Sequence, residues 1–403
     1  MRIRGIFLTM VILASIMVFL GSVPCYAGEA KGVTKDTIIM GHLNADTGPI
    51  AKDSQGISEA IKNYIRYINE QGGIHGRKIK FVSEDTGYSI PRAMAAFKKI
   101  LYKDNVFTIF GPTSTGEATV LLPQVQKEKI CTVMISPAEH MFKPFKRYVF
   151  HFVCSYENQI KILFDYILKD MKAKFPNPRI AIVYPDVEVG KSAAREAQIQ
   201  AKVFNVELRE EILNMGSLDA SSQVMNLKRY KPDFVIIQHV IAPASLLLRE
   251  ARKLKLETNF LGTMLSTNAD TIALSKDAAQ GYVGIQAFRS WYSNTPGAKK
   301  MREITLKLRP GTDKPYRSEY YTFGWVNAIL FVEGMKRAGK DLNNESLVNA
   351  METIKNFDPW GLSGSVTWGS DDREGAESVF FSKADVDNGM LVAISDWKKP
   401  LPR

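Results

Sequence analysis

Residues 38–76 constrain the fold more than any other stretch of this chain. Ile38-Ile39-Met40-Gly41-His42-Leu43 is a short apolar run, as a buried strand requires. A polar loop follows, Asn44-Ala45-Asp46-Thr47-Gly48-Pro49. Beyond it Ile57, Ala60, Ile61, Tyr64, Ile65 and Ile68 recur at helical spacing, so one face of a helix is buried. Gly72-Gly73 stops that helix with a left-handed cap, and 77–82 resumes as a strand. The stretch is a β-loop-α-β unit, in which two parallel strands are joined by a crossover helix. Its loop lies at the strand's carboxyl end, where open α/β sheets bind ligands.

The same rhythm continues. The patterns predict strand 78–84, helix 91–102, strand 106–110, helix 117–128, strand 130–135 and strand 148–153. A second array starts near Tyr156. It has helices at 160–171, 191–204, 221–230 and 244–254, and strands at 179–184, 206–212, 233–238 and 259–262. The tail differs. It has an aromatic-rich helix at 316–336, a helix at 347–354, and short strands at 366–368, 379–381 and 391–394 that would complete both sheets. Alternation of this kind predicts an α/β protein with two covered parallel sheets. A length of 403 residues with 45% hydrophobic content suffices for two such cores.

The net charge of +11 is spread over many helix faces beside Glu and Asp. A nucleic-acid binder clusters its charge, so no nucleic-acid partner is expected. At the N-terminus Arg2 and Arg4 precede an apolar run at 6–20, then small residues up to Ala27. This is the pattern of a secretory signal peptide, residues 1–27, cut after Ala27, so the mature chain is expected to be exported from the cytoplasm. Lipidation at Cys25 ranks second, because Pro24 suits the preceding position poorly. Cys131 and Cys154 then remain, each in an apolar run, either paired as a disulfide or buried separately as thiols.

No catalytic constellation stands out. Pro185-Asp-Val-Glu-Val-Gly190-Lys191-Ser192 follows a strand and opens a helix, but Pro185 replaces the first glycine of a phosphate loop. The five histidines show no i+4 pairing, so no metal centre is expected. No serine sits in a nucleophile elbow. The chain is therefore expected not to be an enzyme and to need no cofactor. What remains is a set of polar loops at strand ends: Thr47 in the first, Ser114 and Thr115 in the second, and 136–140, with Ala138, Glu139 and His140, in the third. Hydroxyls and free amides at a helix start form a cradle for an anion, and the same residues serve as caps. In the second array the strand-end residues are Tyr184, Val189, Gln238, His239, Val240 and Met264, mostly apolar. A cleft between the arrays would have one hydroxyl-lined wall and one apolar wall.

Several short motifs now carry a family likeness: Thr47-Gly-Pro-Ile-Ala51, Ile68-Asn-Glu-Gln-Gly-Gly-Ile-His-Gly76, Phe110-Gly-Pro112, Met134-Ile-Ser-Pro137, Arg179-Ile-Ala-Ile-Val183 and Phe260-Leu-Gly262. In this order the chain resembles a type I periplasmic solute-binding protein of the Leu/Ile/Val group, the receptors of branched-chain amino acid ABC importers. The resemblance implies two Rossmann-like lobes joined by three crossovers, near Ser155, Ala287 and Ser382. Lobe 1 would be 28–155 plus 288–381, and lobe 2 would be 156–287 plus 382–403. It implies a monomer that closes on a small-molecule ligand and delivers it to an inner-membrane permease. Thr115, Ala138 and His140 match positions that hold the ligand carboxylate, and Asp53 matches a position where an aromatic side chain is common. Met264 stands where amino acid binders have an acid, and Val189 where they have a tyrosine. A buried ammonium without an acceptor is costly. The expected ligand is accordingly a small organic acid or an aromatic or apolar amphiphile, with Tyr320, Trp291, Tyr292 and Phe288 available to stack on it. The alternatives are a branched-chain or other amino acid, or the role of a periplasmic sensor for a regulator.

Overall fold

The computed structural model describes residues 30–311 and 317–402. The signal-peptide reading at 1–27, and Cys25 with it, lies outside the described residues. The first sheet has five parallel strands in the order β2-β1-β3-β4-β5. They are β1 (Thr37–Asn44), β2 (Lys78–Asp85), β3 (Thr108–Phe110), β4 (Thr132–Val133) and β5 (Val149–Phe150). Helices α1 (Ala51–Glu70), α2 (Ile90–Lys98) and α3 (Thr115–Lys127) connect them. The β1–β2 ladder runs unbroken from Thr37↔Lys78 to Asn44↔Asp85. Gly72 and Gly73 both take positive φ, and the Gly73 amide closes the helix end onto the Ile68 carbonyl at 2.9 Å.

The second sheet has seven strands, ordered β12-β11-β10-β9-β8-β6-β7. These are β6 (Ile180–Tyr184), β7 (Leu208–Ile212), β8 (Phe234–Ile237), β9 (Asn259–Gly262), β10 (Val283–Gln286), β11 (Phe380–Asp385) and β12 (Met390–Ala393). Its helices are α4 (Tyr156–Asp165), α5 (Glu188–Phe204), α6 (Ser221–Tyr230), α7 (Ile241–Lys253) and α8 (Ala269–Ser275). Ala181, Val183, Val235, Ile237, Leu247 and Leu248 make the centre of its core, each at most 1% exposed. After β10 the chain forms α9 (Pro296–Leu308), α10 (Glu319–Ala338) and α11 (Asn344–Glu352). Helices α9 and α10 both pack on α1, so this excursion belongs with the first sheet. The chain thus passes between the sheets three times: after β5, after β10 and before β11.

Two features differ from expectation. The tail strands complete only the second sheet. β11 and β12 pair with each other through a tight turn in which the Asn388 amide donates to the Asp385 carboxylate at 3.2 Å. A hairpin keeps its two strands in one sheet, and β11 already pairs there from Phe380, ahead of Ser382. Val366 makes only an isolated bridge, to Phe357. Second, Cys131 and Cys154 are both free, buried thiols, so no disulfide joins them.

One close approach fixes the geometry around the cleft. A Cβ added at Gly324 of α10 would stand 2.3 Å from the Ile57 carbonyl oxygen of α1. Only glycine lets these helices touch backbone to backbone there. Asn63 on α1 also donates from Nδ2 to the Tyr321 hydroxyl of α10 at 3.0 Å.

Candidate functional site

The carboxyl ends of both sheets face a shared cavity with about 520 Å³ of empty space, its mouth included. The first lobe supplies the polar wall. The start of α1 contributes Ile50, Asp53, Ser54 and Ile57, the loop after β2 contributes Tyr88, and the loop after β3 contributes Thr113 and Thr115. These hydroxyls are linked. Ser54 Oγ donates to Thr113 Oγ1 at 3.4 Å, and Ser136 Oγ donates to Thr115 Oγ1 at 2.8 Å. Thr115 is the first residue of α3, so the N-terminal end of that helix lies at the cavity. Burial pushes the Tyr88 phenol up to about 12, and raises the Tyr156 phenol as well, so both stay neutral donors.

Asp53 is the acid on this cavity. Its carboxyl accepts no hydrogen bond among the described residues, and burial, reinforced by the Asp270 charge and opposed by Lys52, pushes it up to about 7.

Apart from Tyr156 at the start of α4, whose phenol turns to Thr115 and Ser136 of the polar wall, the second lobe supplies only the apolar Val189, Val240, Met264 and Leu265. Val189 lies in the first turn of α5, which begins three residues earlier than the periodicity predicts. Tyr320 and Phe323 of α10 close the back. The Tyr320 hydroxyl donates to the Leu265 carbonyl at 3.1 Å, and the Met264 amide donates to Gln159 Oε1 at 3.1 Å. The lobes also meet at the rim. Lys52 Nζ lies 2.9 Å from Asp270 Oδ1, the Ala269 amide donates to Glu319 Oε2 at 3.2 Å, and Ile50 packs with Val240.

Of the residues singled out from sequence, Asp53, Thr115, Val189, Val240, Met264 and Tyr320 share this cavity, as does Pro137 of the third polar loop. The others stand off it. Thr47 is exposed and binds the Asp85 carboxylate, with its hydroxyl at 2.7 Å. Ser114 caps α3 by accepting the Glu117 amide at 3.4 Å. Ala138 is fully buried, and the Glu139 amide donates to Glu157 at 2.9 Å. His140 pairs through Nε2 with Thr119 Oγ1 at 2.8 Å and faces Glu188 at 4.0 Å. Gln238 donates from Nε2 to the Val189 carbonyl at 2.8 Å. His239 contacts the Leu213 carbonyl through Nε2 at 2.8 Å and accepts the Val240 amide on Nδ1. Among the aromatics offered for stacking, Trp291 is wholly buried and Tyr292 is 39% exposed, while Phe288 lines a smaller annex behind Met264 and Tyr320.

Sequence reasoning passed over Tyr88, Thr113, Tyr156 and Leu265. Tyr88 and Thr113 follow the carboxyl ends of β2 and β3, so the strand-end rule covers them. Leu265 adjoins Met264. Tyr156 opens α4 directly after a lobe crossing, and nothing in the local pattern marks it.

A family model of periplasmic binding proteins matches residues 37–389. The chain belongs to the periplasmic binding protein family. The Leu/Ile/Val-group likeness read from its motifs agrees with its relatives. The leucine-specific-binding protein of Salmonella typhimurium is 24% identical over 345 residues, 84% of this chain and 90% of that protein. A branched-chain amino acid ABC transporter protein from Thermus thermophilus, solved with bound valine, superposes with a TM-score of 0.83 at 23% identity, covering 91% of this chain and 97% of that one. A fatty acid ABC transporter substrate-binding protein from Thermomonospora curvata superposes with a TM-score of 0.84 at 22% identity, covering 93% and 96%. At such identities the superpositions establish the type I periplasmic binding protein fold. Among the described residues no helix is long and apolar enough to cross a membrane, and no group of His, Cys, Asp and Glu stands ready to hold a metal ion.

Proposed function

We propose that this chain is the periplasmic receptor of an ABC importer and that its ligand is a small organic acid with an aromatic or aliphatic body. The observation that carries this reading is the contrast between the two walls. Thr113, Thr115 and the start of α3 offer hydrogen-bond donors to an anionic head. Val189, Val240, Met264 and Leu265 offer a body nothing but apolar surface, and no carboxylate faces the cavity from their side. Methionine adapts its shape to such bodies. Lobe 1 (28–155 plus 288–381) and lobe 2 (156–287 plus 382–403, with β11 entering at Phe380) would hinge shut on the solute, and a permease would read the closed form.

One observation favours a second reading. Asp53 lines the cavity from the first lobe, and an ionised Asp53 could accept an ammonium group there. The ligand would then be an amino acid held in an unusual orientation. A thermal-shift series with phenylacetate, octanoate, L-phenylalanine and L-leucine separates the two. The proposed function predicts the larger shifts for phenylacetate or octanoate. Larger shifts for L-leucine or L-phenylalanine defeat it.

A further inference from the structure

The acid reading raises a difficulty at Asp53. A carboxylate on the wall of a cavity that takes an anion repels its own ligand. An acid in the first turn of a helix is ordinary, because the helix N-terminus favours its ionised form. Here the part-buried residue lines the cavity together with Ile50, Ile57 and Tyr320, and its carboxyl accepts no hydrogen bond among the described residues. The charged and titratable groups around it do not supply one. Lys52, on the same helix, is 76% exposed and engaged with Asp270. Asp270 on α8 carries the same sign as Asp53, and its presence opposes ionisation. Glu319 on α10 accepts the Ala269 amide. Tyr320 on α10 spends its proton on the Leu265 carbonyl, and Tyr88 and Tyr156 are phenols held neutral.

We propose that Asp53 is a specificity-determining residue that meets the ligand as the neutral acid and donates its carboxyl proton in a hydrogen bond, so that capture of one organic anion takes up one proton from solution. The inference rests on the acid reading above. The balance is simple: an anionic ligand, an ionised Asp53 and one solvent proton become a complex with one shared acid proton and no bond to carbon changed. Closure reinforces the effect. Asp270 belongs to the second lobe, so its repulsion of Asp53 is felt when the lobes are together. Bringing the lobes together and bringing in an anion both favour the protonated form, which ligates neutral Asp53 to the closed state. With the lobes together and the Asp270 charge beside it, Asp53 stands at about 7, so the linkage falls near neutral pH.

The test is calorimetric titration of the mature protein with phenylacetate and with octanoate, at pH 6 and pH 8, in buffers of different ionisation enthalpy. The expected result is uptake of close to one proton per bound acid at pH 8 and much less at pH 6. Affinity falls with rising pH, approaching tenfold per pH unit above about 7. Asp53→Asn abolishes the proton uptake and the slope, and binds at pH 8 as tightly as the parent does at pH 6. The proton count on the parent protein decides the matter even if the variant folds poorly. Acid binding with no proton uptake, or a slope that survives Asp53→Asn, overturns this inference and leaves the acid reading standing. Binding of L-phenylalanine in place of either acid, tightening as pH rises, overturns both, since Asp53 would then act as the ionised partner of an ammonium.

Discussion

The two lobes share one architecture and use the ends of their strands in opposite ways. In the first lobe the loops after β2 and β3 turn Tyr88, Thr113 and Thr115 toward the cavity. The second lobe also has polar residues at its strand ends, yet Gln238 and His239 are turned away. Gln238 holds the Val189 carbonyl, and His239 bridges the Leu213 carbonyl and the Val240 amide. Their work is to fix the loops that present Val189 and Val240. One wall therefore meets the solute with its polar groups, whereas the other spends the Gln238 amide and the His239 ring on its own loops and shows the solute mainly apolar side chains. Turning a polar side chain away from the cavity costs less when it finds a partner behind the wall, as the Gln238 amide and the His239 ring do.

That contrast can be broken most forcefully at Met264. Met264→Asp sets a carboxylate in the apolar wall, and like charges facing each other cost several kcal/mol. Phenylacetate affinity should fall by more than about 100-fold in calorimetry, while L-phenylalanine gains. Acid binding that survives this change would show that the second wall does not choose the ligand. Next is the network behind the wall. Gln238→Leu leaves the Val189 carbonyl without its side-chain donor, so urea unfolding should show a loss of about 1–3 kcal/mol, with binding weakened in step.

The walls should also respond to pH with opposite signs. Asp53 stands at about 7, above its unfolded value near 3.9, so its contribution is present at pH 4 and lost as pH rises through 7. His239 is pushed down to about 4 by burial, below its unfolded value near 6.5, so its contribution is lost as pH falls from 6.5 toward 4. The limiting slope for either group is about 1.4 kcal/mol per pH unit. Thermal denaturation should accordingly show Asp53→Asn raising the melting temperature at pH 8 and leaving it nearly unchanged at pH 4. His239→Gln should stabilise near pH 4.5 relative to its own effect at pH 7. The smallest effect belongs to the rim. Lys52→Ala removes an exposed ion pair with Asp270 and should cost about 0.5 kcal/mol or less, with a change in affinity of no more than a few-fold.

Much of the fold was legible because the patterns are regular. The helix Ser221–Tyr230 and the strand Asn259–Gly262 fall where periodicity and turn residues put them. β4 was less legible. The apolar run 130–135 reads as one strand, but the ladder holds only Thr132 and Val133. Met134, Ile135 and Ser136 stay buried after the backbone has left the sheet to approach the cavity, and hydropathy reports burial, not pairing. The tail strands misled for another reason, since which sheet they join depends on contacts far away in the chain. At the candidate site the strand-end rule located the right loops. It could not say which way a side chain turns. Thr113 and Ser114 are neighbours of similar chemistry, and Thr113 lines the cavity while Ser114 caps a helix. Val240 lines it while the adjacent His239 is spent on the loop. That choice is made by local hydrogen bonds that form only once the loop is folded.

The glycine at 324 has an evolutionary reach. With α10 seated directly on α1, neither the helix bearing Asp53 nor the one bearing Tyr320 is free to retreat for a bulkier cargo. Room for a new solute has to be found on the opposite shore, at Val189, Val240, Met264 and Leu265. A lineage built on this frame would diversify by exchanging those four side chains while one helix pair stayed as it is.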